Sequence, residues 1–422
     1  MVYGKKSVTE VTRERWFSRI GKAFGGIGTG LMLIVVATCL LYWNEGRSVR
    51  TGDTIAEARR ATVNLPDVTR RDPAFDGQTV HVTGRAVTEE ELTDPLFGIK
   101  AAAIALRRRV EFYQWVEEAT QEKRTKLGGD EETVTTYTYS TQWVGSPVDS
   151  QRFRKVDGHE NTIRLRAGNE TLYADHVTLG AYRLPEFLIH SIGGEKALQL
   201  AISDEERLNL QKILFPREPV AAGWSGYAEK NTGESLRNPA ALLHTLGNTM
   251  YIGRRPDSPD IGDVRVTFSE VRPAEVSVIA KVSGDTFVPF HASNGENFFR
   301  LAMGKREAQA MFDDARSANE TTAWLLRALG VLLCVAGIRM VLTPVRVIAD
   351  ILPLLGTIAG AGTGLAALLL GVSWSVAVIA IAWLRFRPLL GGILLGVACL
   401  LLVCVFLKGR GKKTATSVST ER

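Results

Sequence analysis

The chain has 422 residues, of which 45% are hydrophobic, and a formal net charge of +6. These averages conceal two unlike parts, a set of long apolar runs and a polar middle. All four cysteines lie within the apolar runs, which leaves the polar middle without thiols for a disulfide or a thiolate metal site. The basic residues that create the excess charge flank the first and last apolar runs, and such flanks indicate membrane topology before they indicate an anionic ligand.

The first apolar run, residues 26–43, contains no charged residue and ends in a tyrosine and a tryptophan, which favour membrane interfaces. It predicts an uncleaved signal anchor, because no small-x-small cleavage site follows the run. Residues 1–25 are predicted as a basic cytoplasmic segment, in which Ser7 and Glu10 have the spacing of a capping box. This segment is either an amphipathic helix lying on an anionic leaflet or a solvated flank that only sets orientation.

Further apolar runs follow the polar middle, and each is long enough to cross about 30 Å of hydrocarbon. Spans are predicted at 322–342, within 347–384 and at 388–407, before a basic cytoplasmic tail at 408–422. Pro353 and the glycines after it favour a short interfacial or re-entrant piece at 347–357, with a fifth span as the alternative. Four spans place both basic termini in the cytoplasm and residues 44–320 outside it.

The polar insertion at residues 44–320 is large enough to have a hydrophobic core of its own. Stretches with a period of two, such as 262–271, predict strands, and helices are predicted at 184–192 and 203–214. Both halves of the insertion open with similar valine-rich strands, so two small β-barrels or sandwiches, divided near 180–260, are an alternative to one domain. The fold class is therefore a four-span, multi-pass α-helical membrane protein with a large β-rich α+β extracytoplasmic insertion.

Residues 106–118, LRRRVEFYQWVEE, sort by alternation into a strand, whereas as a helix they would have no apolar stripe. Residues 133–144 have the β-branched and aromatic content of a partner strand, which predicts a long hairpin with aromatic pairs across it. Arg109, Tyr113 and Trp115 share one face, which has either a structural role or a role as a contact face. Nucleic-acid binding is disfavoured, because the neighbouring glutamates cancel the arginines.

Several short motifs occur along the chain in an order that is similar to that of a known membrane protein family. They are NEGR at 44–47, DPLFG at 94–98, LRRRVEFYQWVEE at 106–118, TYTYSTQW at 136–143, GDVRVTFS at 262–269 with VPF downstream, AWLLRALG at 323–330 and WLRFRP at 383–388. Together they resemble the transmembrane protein forty-three family, also called LUMA. The resemblance implies four spans around a large lumenal insertion, and it implies no catalytic residue.

In animals the resemblance implies the endoplasmic reticulum and inner nuclear membrane, where the family is linked to nuclear-envelope organisation and to lamin and emerin partners. The family has bacterial members, and the composition of this chain looks bacterial, so a nuclear role would not transfer. The expected location is then the bacterial inner membrane, with the insertion periplasmic or extracellular. In a eukaryote it would be the endoplasmic reticulum or inner nuclear membrane, with the insertion lumenal.

Polar residues at the margins of the spans are candidate interfacial sites. Arg327 lies inside the second span, Glu45 lies at a comparable depth after the first, and we predict that they pair because an isolated charge there is costly. The two arginines of WLRFRP either snorkel to lipid phosphates or contact the acidic insertion. The candidate interfacial residues are Asn44, Glu45, Arg47, Trp324, Arg327 and Arg387.

Small residues at steps of four predict close contacts between helices. The candidate packing positions are Gly26, Gly30, Gly356, Gly360 and Gly364. The last three form a ladder that the family resemblance does not lead one to expect.

No motif in the sequence indicates catalysis. The histidines have no paired ligand spacing, and GWSGY at 223–227 lacks the final glycine of a nucleophile elbow, so no metal, cofactor or catalytic residue is predicted. We predict a non-enzymatic scaffold that organises other membrane proteins or a homo-oligomer in the lipid bilayer, with its basic termini on anionic lipid head groups. The alternative is a membrane-anchored lipid-binding module or enzyme with a pocket in the insertion.

Overall fold

The computed structural model describes residues 7–215, 242–389 and 391–393. Its helices, in chain order, are α1 (Trp16–Ala61), α2 (Glu186–Ile189), α3 (Asp204–Leu214), α4 (Ala308–Ala349) and α5 (Pro353–Phe386). In this part of the chain, three helices are long and apolar enough to cross a membrane: α1, α4 and the Leu355–Phe386 part of α5.

The predicted spans at 26–43 and 322–342 lie inside α1 and α4, which both extend well beyond the apolar runs. The interfacial or re-entrant piece predicted at 347–357, and its alternative of a fifth span, stay predictions. Helix α4 runs to Ala349 and, after a short turn, α5 begins at Pro353, because proline fits the first turn of a helix. The predicted fourth span at 388–407 lies mostly outside the described residues, and the predicted tail at 408–422 lies entirely outside them.

Short and long strands form the β-rich domain. In chain order they are β1 (Ser7–Glu14), β2 (Thr62–Asn64), β3 (Thr79–Val87), β4 (Leu92–Thr93), β5 (Lys100–Ala101), β6 (Ala105–Thr125), β7 (Glu131–Val144), β8 (Glu170–Tyr173), β9 (Thr178–Leu179), β10 (Tyr182–Arg183), β11 (Lys196–Ala197), β12 (Leu243–Leu246), β13 (Thr249–Ile252), β14 (Val264–Val271), β15 (Ala274–Ser283), β16 (Thr286–Val288), β17 (Phe290–His291), β18 (Asn297–Phe298) and β19 (Arg300–Met303).

Two large sheets contain most of these strands. The first has eight strands, in the order β1–β7–β6–β14–β13–β12, with β11 beside β14 and β8 beside β6. The second has seven strands, in the order β19–β15–β16–β10–β9–β3–β2, and β15 also pairs with β3. The predicted hairpin is confirmed as the antiparallel pair of β6 and β7, in which Tyr113 lies opposite Trp143.

The two halves of the insertion are interleaved. Strand β14 from the second half pairs with β6 from the first, and β15 pairs with β3 in the other sheet. One continuous core takes side chains from both sheets, including the fully buried Tyr182 and Phe268. The described strands therefore form one domain, and they do not support the alternative of two barrels divided near 180–260.

Residues 7–14 form strand β1 instead of the predicted amphipathic helix. Strand β1 runs antiparallel to β7, with Ser7 opposite Thr138 and Glu14 opposite Glu131. Its valines and threonines favour an extended strand, and β7 supplies an edge that no local sequence pattern could reveal. The helix begins only at Trp16.

The sheet of β1, β7 and β6 runs the length of the helix bundle. Strand β6 has 21 residues and helix α1 has 46, so each is about 70 Å long. The hairpin turn at 126–130 contacts the first residue of α1, whereas the far end of β6 pairs with β14 in the domain. We predicted that residues 1–25 and 44–320 lie on opposite sides of the membrane. That topology would separate β1 from β7, which the structure pairs. Cross-linking between the two strands can decide between the predicted topology and the pairing.

Helices α1 and α4 continue without a break from the apolar runs to the domain, where they pack in a second hydrophobic cluster that is separate from its main core. The junction is a cluster of buried side chains from both helices, from β15 of the second sheet and from β18, which pairs only with β17 among the described strands: Ile55, Ala58, Ile279, Phe298, Met311, Phe312 and Ala315. Within it, the rings of Phe298 and Phe312 stack with their centroids 5.5 Å apart. Packing therefore fixes the orientation of the domain relative to the bundle.

Candidate functional site in the helix bundle

Glu45 of α1 is the centre of a polar cluster that joins the three long helices. Its carboxylate accepts two hydrogen bonds from Arg327 of α4, at 2.6 Å from Nε and 2.8 Å from Nη2. The indole Nε1 of Trp383 on α5 donates a third, at 2.8 Å. The predicted contact between Glu45 and Arg327 is thus confirmed, and its bidentate geometry is the strongest that an arginine and a carboxylate form.

Burial makes this ion pair costly to break. The Glu45 side chain is fully buried and the Arg327 side chain is 12% exposed. The Arg327 guanidinium also lies over two rings, 4.7 Å from the centroid of the exposed Trp324 and 5.9 Å from that of Trp383. A buried pair adds little net stability, but the loss of one partner leaves the other charge uncompensated. The pair therefore sets the register of the three helices.

The residues beside this carboxylate extend the cluster between α1 and α4. The Asn44 side chain donates to the carbonyl of Ala323 at 3.0 Å, and Arg47 Nη1 donates to Asn319 Oδ1 at 3.1 Å. Asn319 in turn donates to the carbonyl of Ser48 at 2.9 Å. These bonds satisfy polar groups that packing has removed from water. We refer to Asn44, Glu45, Arg47, Asn319, Arg327 and Trp383 as the Glu45 cluster.

The predicted interfacial residue Arg387 is close enough to Glu45 for an electrostatic attraction, but it makes no described hydrogen bond to the Glu45 cluster through its side chain. Its backbone N–H donates to the carbonyl of Trp383 at 2.8 Å and ends α5. In the part of the chain that the structure describes, neither Arg385 nor Arg387 makes a side-chain hydrogen bond or ion pair with the β-rich domain. Of the two predicted alternatives for these arginines, snorkelling to lipid phosphates stays a prediction.

A second buried ion pair lies at the opposite end of the helices. Arg19 of α1 contacts Asp350, which follows α4, with 2.6 Å between Nη2 and Oδ2. The two side chains are 9% and 4% exposed. Arg19 Nη1 also donates to the carbonyl of Gly129 in the hairpin turn, and the backbone N–H of Trp16 donates to Asp130 at 2.9 Å. We refer to these five residues as the Asp350 cluster.

The hairpin turn is docked closely against the helix ends. Gly129 has a φ of +84°, and a Cβ there would also run into the Trp16 ring, so both backbone and space require glycine. The neighbouring Gly128 donates its N–H to the carbonyl of Ile351 at 3.0 Å. The Trp16 indole donates to the carbonyl of Val347 at 2.8 Å. The turn thus contacts both the start of α1 and the connection between α4 and α5.

The basic flank of the first apolar run is partly neutralised within the chain. Arg13 lies 3.4 Å from Glu132 of β7, and Lys22 lies 2.9 Å from Glu14. Together with the buried Arg19, these residues were expected to set topology or to meet anionic lipid. The contacts of Arg13 and Arg19 with acids of β7 join the N-terminal segment to the hairpin, whereas that of Lys22 with Glu14 lies within the segment.

Among the candidate packing glycines of α1, Gly30 lies at a close helix contact. A Cβ at Gly30 would lie 2.6 Å from the carbonyl oxygen of Gly337, so α1 and α4 touch backbone to backbone at this point. At Gly26, a Cβ would meet no heavy atom of the described chain within 4 Å. The sequence identified Gly30 but not its partner Gly337.

The glycine ladder of α5 adjoins polar side chains. A Cβ at Gly356 would run into the carboxylate of Asp350, and one at Gly360 would lie 3.1 Å from Nε of Arg346. Gly364 has no described heavy atom within 4 Å of its Cβ position. The first two positions therefore leave room for the polar connection between α4 and α5, at the level of the Asp350 cluster.

The predicted face of Arg109, Tyr113 and Trp115 is largely occupied by contacts within the domain. The Tyr113 and Trp143 rings have centroids 5.3 Å apart, which confirms an aromatic pair across the hairpin. Trp115 contacts the imidazole of His159, with centroids 4.8 Å apart. Arg109 is exposed. The two aromatic residues thus stabilise the sheet, and only the arginine is open to a partner.

Two buried phenols in the domain act as hydrogen-bond donors. Burial, together with a bond donated to Glu117, raises the pKa of Tyr139 to about 12. Burial and a bond donated to the fully buried Asp263 also raise the pKa of Tyr251. A raised phenol pKa keeps the hydroxyl protonated, which suits a structural donor. Among the described residues, no three His, Cys, Asp or Glu side chains are grouped as metal ligands.

Comparison with known proteins places these features in a family. The family model described as Transmembrane protein 43 matches residues 112–388, which is more than half of the chain. This chain belongs to the Transmembrane protein 43 family. The match includes β14, β15, α4 and α5, and begins within β6. The family resemblance of the sequence motifs is thereby confirmed, and the protein is an integral membrane protein.

Members of the family in animals are similar to this chain over nearly its whole length. Transmembrane protein 43 of Mus musculus is 28% identical over 410 residues, which cover 95% of this chain and 93% of the mouse protein. The Homo sapiens protein is 27% identical over 393 residues, 91% of this chain and 90% of its own. The Drosophila melanogaster homologue is 29% identical over 381 residues, which cover 88% of this chain and 90% of the fly protein. No solved structure matches the chain.

Sequence reasoning gave no site role to Asn319 and Trp383 of the Glu45 cluster, nor to any residue of the Asp350 cluster. Asn319 lies in the polar stretch just before the second span, and its i, i+4 spacing from Ala323 was the only signal that it shares a face with the span. Trp383 was assigned to the family motif WLRFRP without a donor role. Asp350 was passed over because it falls in the predicted re-entrant piece, although a lone acid between two apolar runs is itself a signal for a buried partner.

Proposed function

We propose that this chain is a non-enzymatic membrane scaffold, which holds its β-rich domain in a fixed orientation beside the spans and organises other membrane proteins or copies of itself. The observation that carries the proposal is the continuity of α1 and α4 from the apolar runs to the buried cluster that they share with strands of the domain. A domain on a flexible tether would leave the position of a bound partner undefined. A domain packed on the span helices themselves fixes that position.

The two buried ion pairs support this rigid connection. Glu45 and Arg19 are 26 residues apart on α1, which separates their clusters by about 40 Å along the helix. The Glu45 cluster joins the three long helices to each other. The Asp350 cluster joins the bundle to the hairpin turn. The bundle is thereby constrained at both ends.

Surfaces for partners exist in the spans and in the domain. Large apolar side chains of α1 and α5, such as Met32, Val35 and Leu369, are exposed, as expected for contacts with lipid or with other helices. In the first sheet, β1 and β12 end the strand order within the described residues. An end strand has unpaired backbone groups that can accept a further strand.

For location, we propose the bacterial inner membrane, with the domain periplasmic or extracellular, or in a eukaryote the endoplasmic reticulum or inner nuclear membrane, with the domain lumenal. The basic residues of the two termini would then face anionic head groups in the cytoplasm, an arrangement that requires β1 to part from β7 and Arg19 from the hairpin turn. The named relatives of this chain are animal proteins.

Native mass measurement of the full chain in a mild detergent tests the scaffold. We expect a defined mass above that of one chain, from further copies or from a stoichiometric protein partner. The variant Phe312→Ala removes a stacked ring from the junction and should reduce retention of that partner, whereas Phe17→Ala, at a position that is 80% exposed, should not. A monomer that carries only lipid would contradict the scaffold and favour the lipid-binding alternative.

A further inference from the structure

A cavity of about 270 Å³ lies where the helix bundle meets the β-rich domain. One wall is α1, with Arg47, Thr51 and Ile55; another is α4, including Asn319; and strands β18 and β19 close it with Phe298 and Arg300. Neither Glu45 nor Arg327 lines the cavity. It is therefore separate from the salt bridge of the Glu45 cluster, although it shares Arg47 and Asn319 with that cluster.

Two arginines give the cavity a positive charge that no lining acid balances. Arg47 donates only to neutral groups, to Asn319 at 3.1 Å and to Asn44 at 3.4 Å. Its Nε is buried and has no partner in the described part of the chain. The side chain of Arg300 likewise makes no hydrogen bond or ion pair with the residues that the structure describes. A buried donor without a partner is costly, so Nε of Arg47, together with the half-buried Arg300 on the same cavity, favours an anion.

The nearest acids are already engaged elsewhere. Glu296 lies 3.6 Å from Arg50 and accepts hydrogen bonds from Thr51 and Thr54. Glu45 is saturated by Arg327 and Trp383. Neutralisation of Arg47 and Arg300 from within the described chain would require one of these bonds to break. The charge is thus available to a ligand.

The position of the cavity indicates which anion it meets. Arg47 is four residues beyond the end of the first apolar run, about 6 Å along α1, and Thr322 at the opposite edge begins the second run. This is the depth of the lipid head groups. Guanidinium groups bind phosphate oxygens in pairs, and the edge of the cavity at Thr322 adjoins the apolar runs, where the acyl chains of a lipid would lie.

We propose that this cavity binds the phosphate group of an anionic amphiphile, with Arg47 and Arg300 as the charged donors and Asn319 as a neutral one. The proposal does not rest on the scaffold function, since a monomer or an oligomer could hold the same ligand. A phosphate group can come from a lipid head group or from free phosphate, so both are tested as probes.

Lipid titration of the purified, delipidated full chain tests the site. The two lipids are phosphatidylglycerol and phosphatidylcholine with identical acyl chains, followed by native mass spectrometry. We expect phosphatidylglycerol to bind more tightly, and Arg300→Gln to weaken its binding about tenfold, because a hydrogen-bonded ion contact is lost. Arg316→Gln is the matched control: it also removes one positive charge, from α4 near the cavity, at a side chain that is 74% exposed and paired with Glu320.

A second variant keeps the test independent of folding. Ala318→Leu fills the mouth of the cavity from α4 without changing charge, and it should weaken phosphatidylglycerol binding while the melting temperature stays unchanged. Inorganic phosphate at millimolar concentration separates the two sources. If inorganic phosphate displaces phosphatidylglycerol, and does so only when Arg300 is present, the site is a phosphate site open to soluble ligands. If inorganic phosphate displaces no lipid, while lipid binding still depends on Arg300, the site is specific for a lipid. Equal binding of both lipids, or no effect of either variant, would overturn the proposal.

Discussion

The two buried ion pairs of the bundle have the same chemistry and different surroundings. Glu45 receives three hydrogen bonds from two helices, whereas Asp350 receives its described side-chain bond from Arg19, whose guanidinium is shared with the hairpin turn. The first pair joins helices to helices. The second joins the bundle to a sheet that belongs to the domain. One is therefore a fixed part of the core, and the other is a docking contact.

The difference teaches what to expect when either is broken. Loss of Glu45 should disturb the packing of three helices at once, because Arg327 would remain buried between them. Loss of Arg19 should release the hairpin turn, because Asp350 lies in a connection that can relax toward water. Four predictions sharpen this contrast.

The largest effect is expected for Glu45→Ala. It leaves Arg327 and the Trp383 indole without an acceptor, which should lower the free energy of unfolding by about 3–5 kcal/mol, the usual consequence of one buried charge losing its partner. Thermal or denaturant unfolding in detergent measures the change. The control Glu320→Gln breaks a pair whose side chains are 61% and 74% exposed, and it should cost at most about 1 kcal/mol.

A double-mutant cycle shows whether the effect belongs to the pair. We expect Glu45→Ala and Arg327→Ala together to cost clearly less than the sum of the single changes, since each single variant strands one charge. Strict additivity would mean that the contact between the two side chains carries no coupling.

A smaller effect is expected for Arg19→Gln, about 2–3 kcal/mol, because Asp350 loses one charged donor and can regain water. The hairpin turn should also loosen. Limited trypsin digestion can detect this, since Lys126 precedes Leu127, which is 82% exposed in the turn. Faster cleavage there in Arg19→Gln, but not in the exposed Arg15→Gln, is the expected pattern. Equal rates of cleavage after Lys126 in the two variants would show that Arg19 does not hold the hairpin turn against the bundle.

The third prediction concerns the helix contact between the two clusters. Gly30→Ala places a methyl group 2.6 Å from the backbone of Gly337, and separation of the helices should cost about 1–3 kcal/mol. Gly26→Ala, one turn earlier and free of described neighbours, should be neutral or stabilise the helix by up to about 1 kcal/mol. The same detergent unfolding assay compares them. Similar costs at both positions would show that the loss of glycine itself, rather than the contact, is responsible.

The sequence was sufficient for the Glu45 pair because both charges lie in or beside apolar runs, where a charge without a partner is expensive. It was sufficient for the hairpin because alternation in residues 106–118 and 133–144 is a local signal. It was not sufficient for the Asp350 cluster. Arg19 lies among other basic residues whose ordinary role is to set topology, so nothing local distinguished it.

Long-range pairing explains the remaining differences. The interleaving of β14 with β6 and of β15 with β3 joins segments more than 150 residues apart, and no periodic pattern records such partners. Residues 7–14 are a strand because β7 offers an edge, although their capping-box spacing is compatible with a helix. Similarly, Gly30 was identified but Gly337 was not, since a glycine contact requires the register between two helices.

The last prediction has little expected effect on stability and decides the position of β1. Thr9 lies directly opposite Thr136 in the β1–β7 pair. Opposed residues of antiparallel strands have Cα atoms about 4.5–5.5 Å apart, within the range for a disulfide. In full-length protein lacking its four native cysteines, Thr9→Cys with Thr136→Cys should therefore cross-link under mild oxidation in the membrane. The products are resolved by mobility before and after reduction.

Thr12→Cys with Thr138→Cys is the control, because Thr12 lies opposite Thr133 and the two introduced thiols would be five residues out of register. Cross-linking of the first pair alone would place residues 7–14 in the same compartment as the hairpin, and would exclude the topology in which the N-terminal segment is cytoplasmic and the domain is not. Failure of the first pair, with the Thr9→Cys thiol labelled only from the cytoplasmic side, would restore that topology. It would also require the Asp350 cluster to form without the hairpin turn, because the threonines, glutamates and lysines of β6 and β7 cannot cross hydrocarbon.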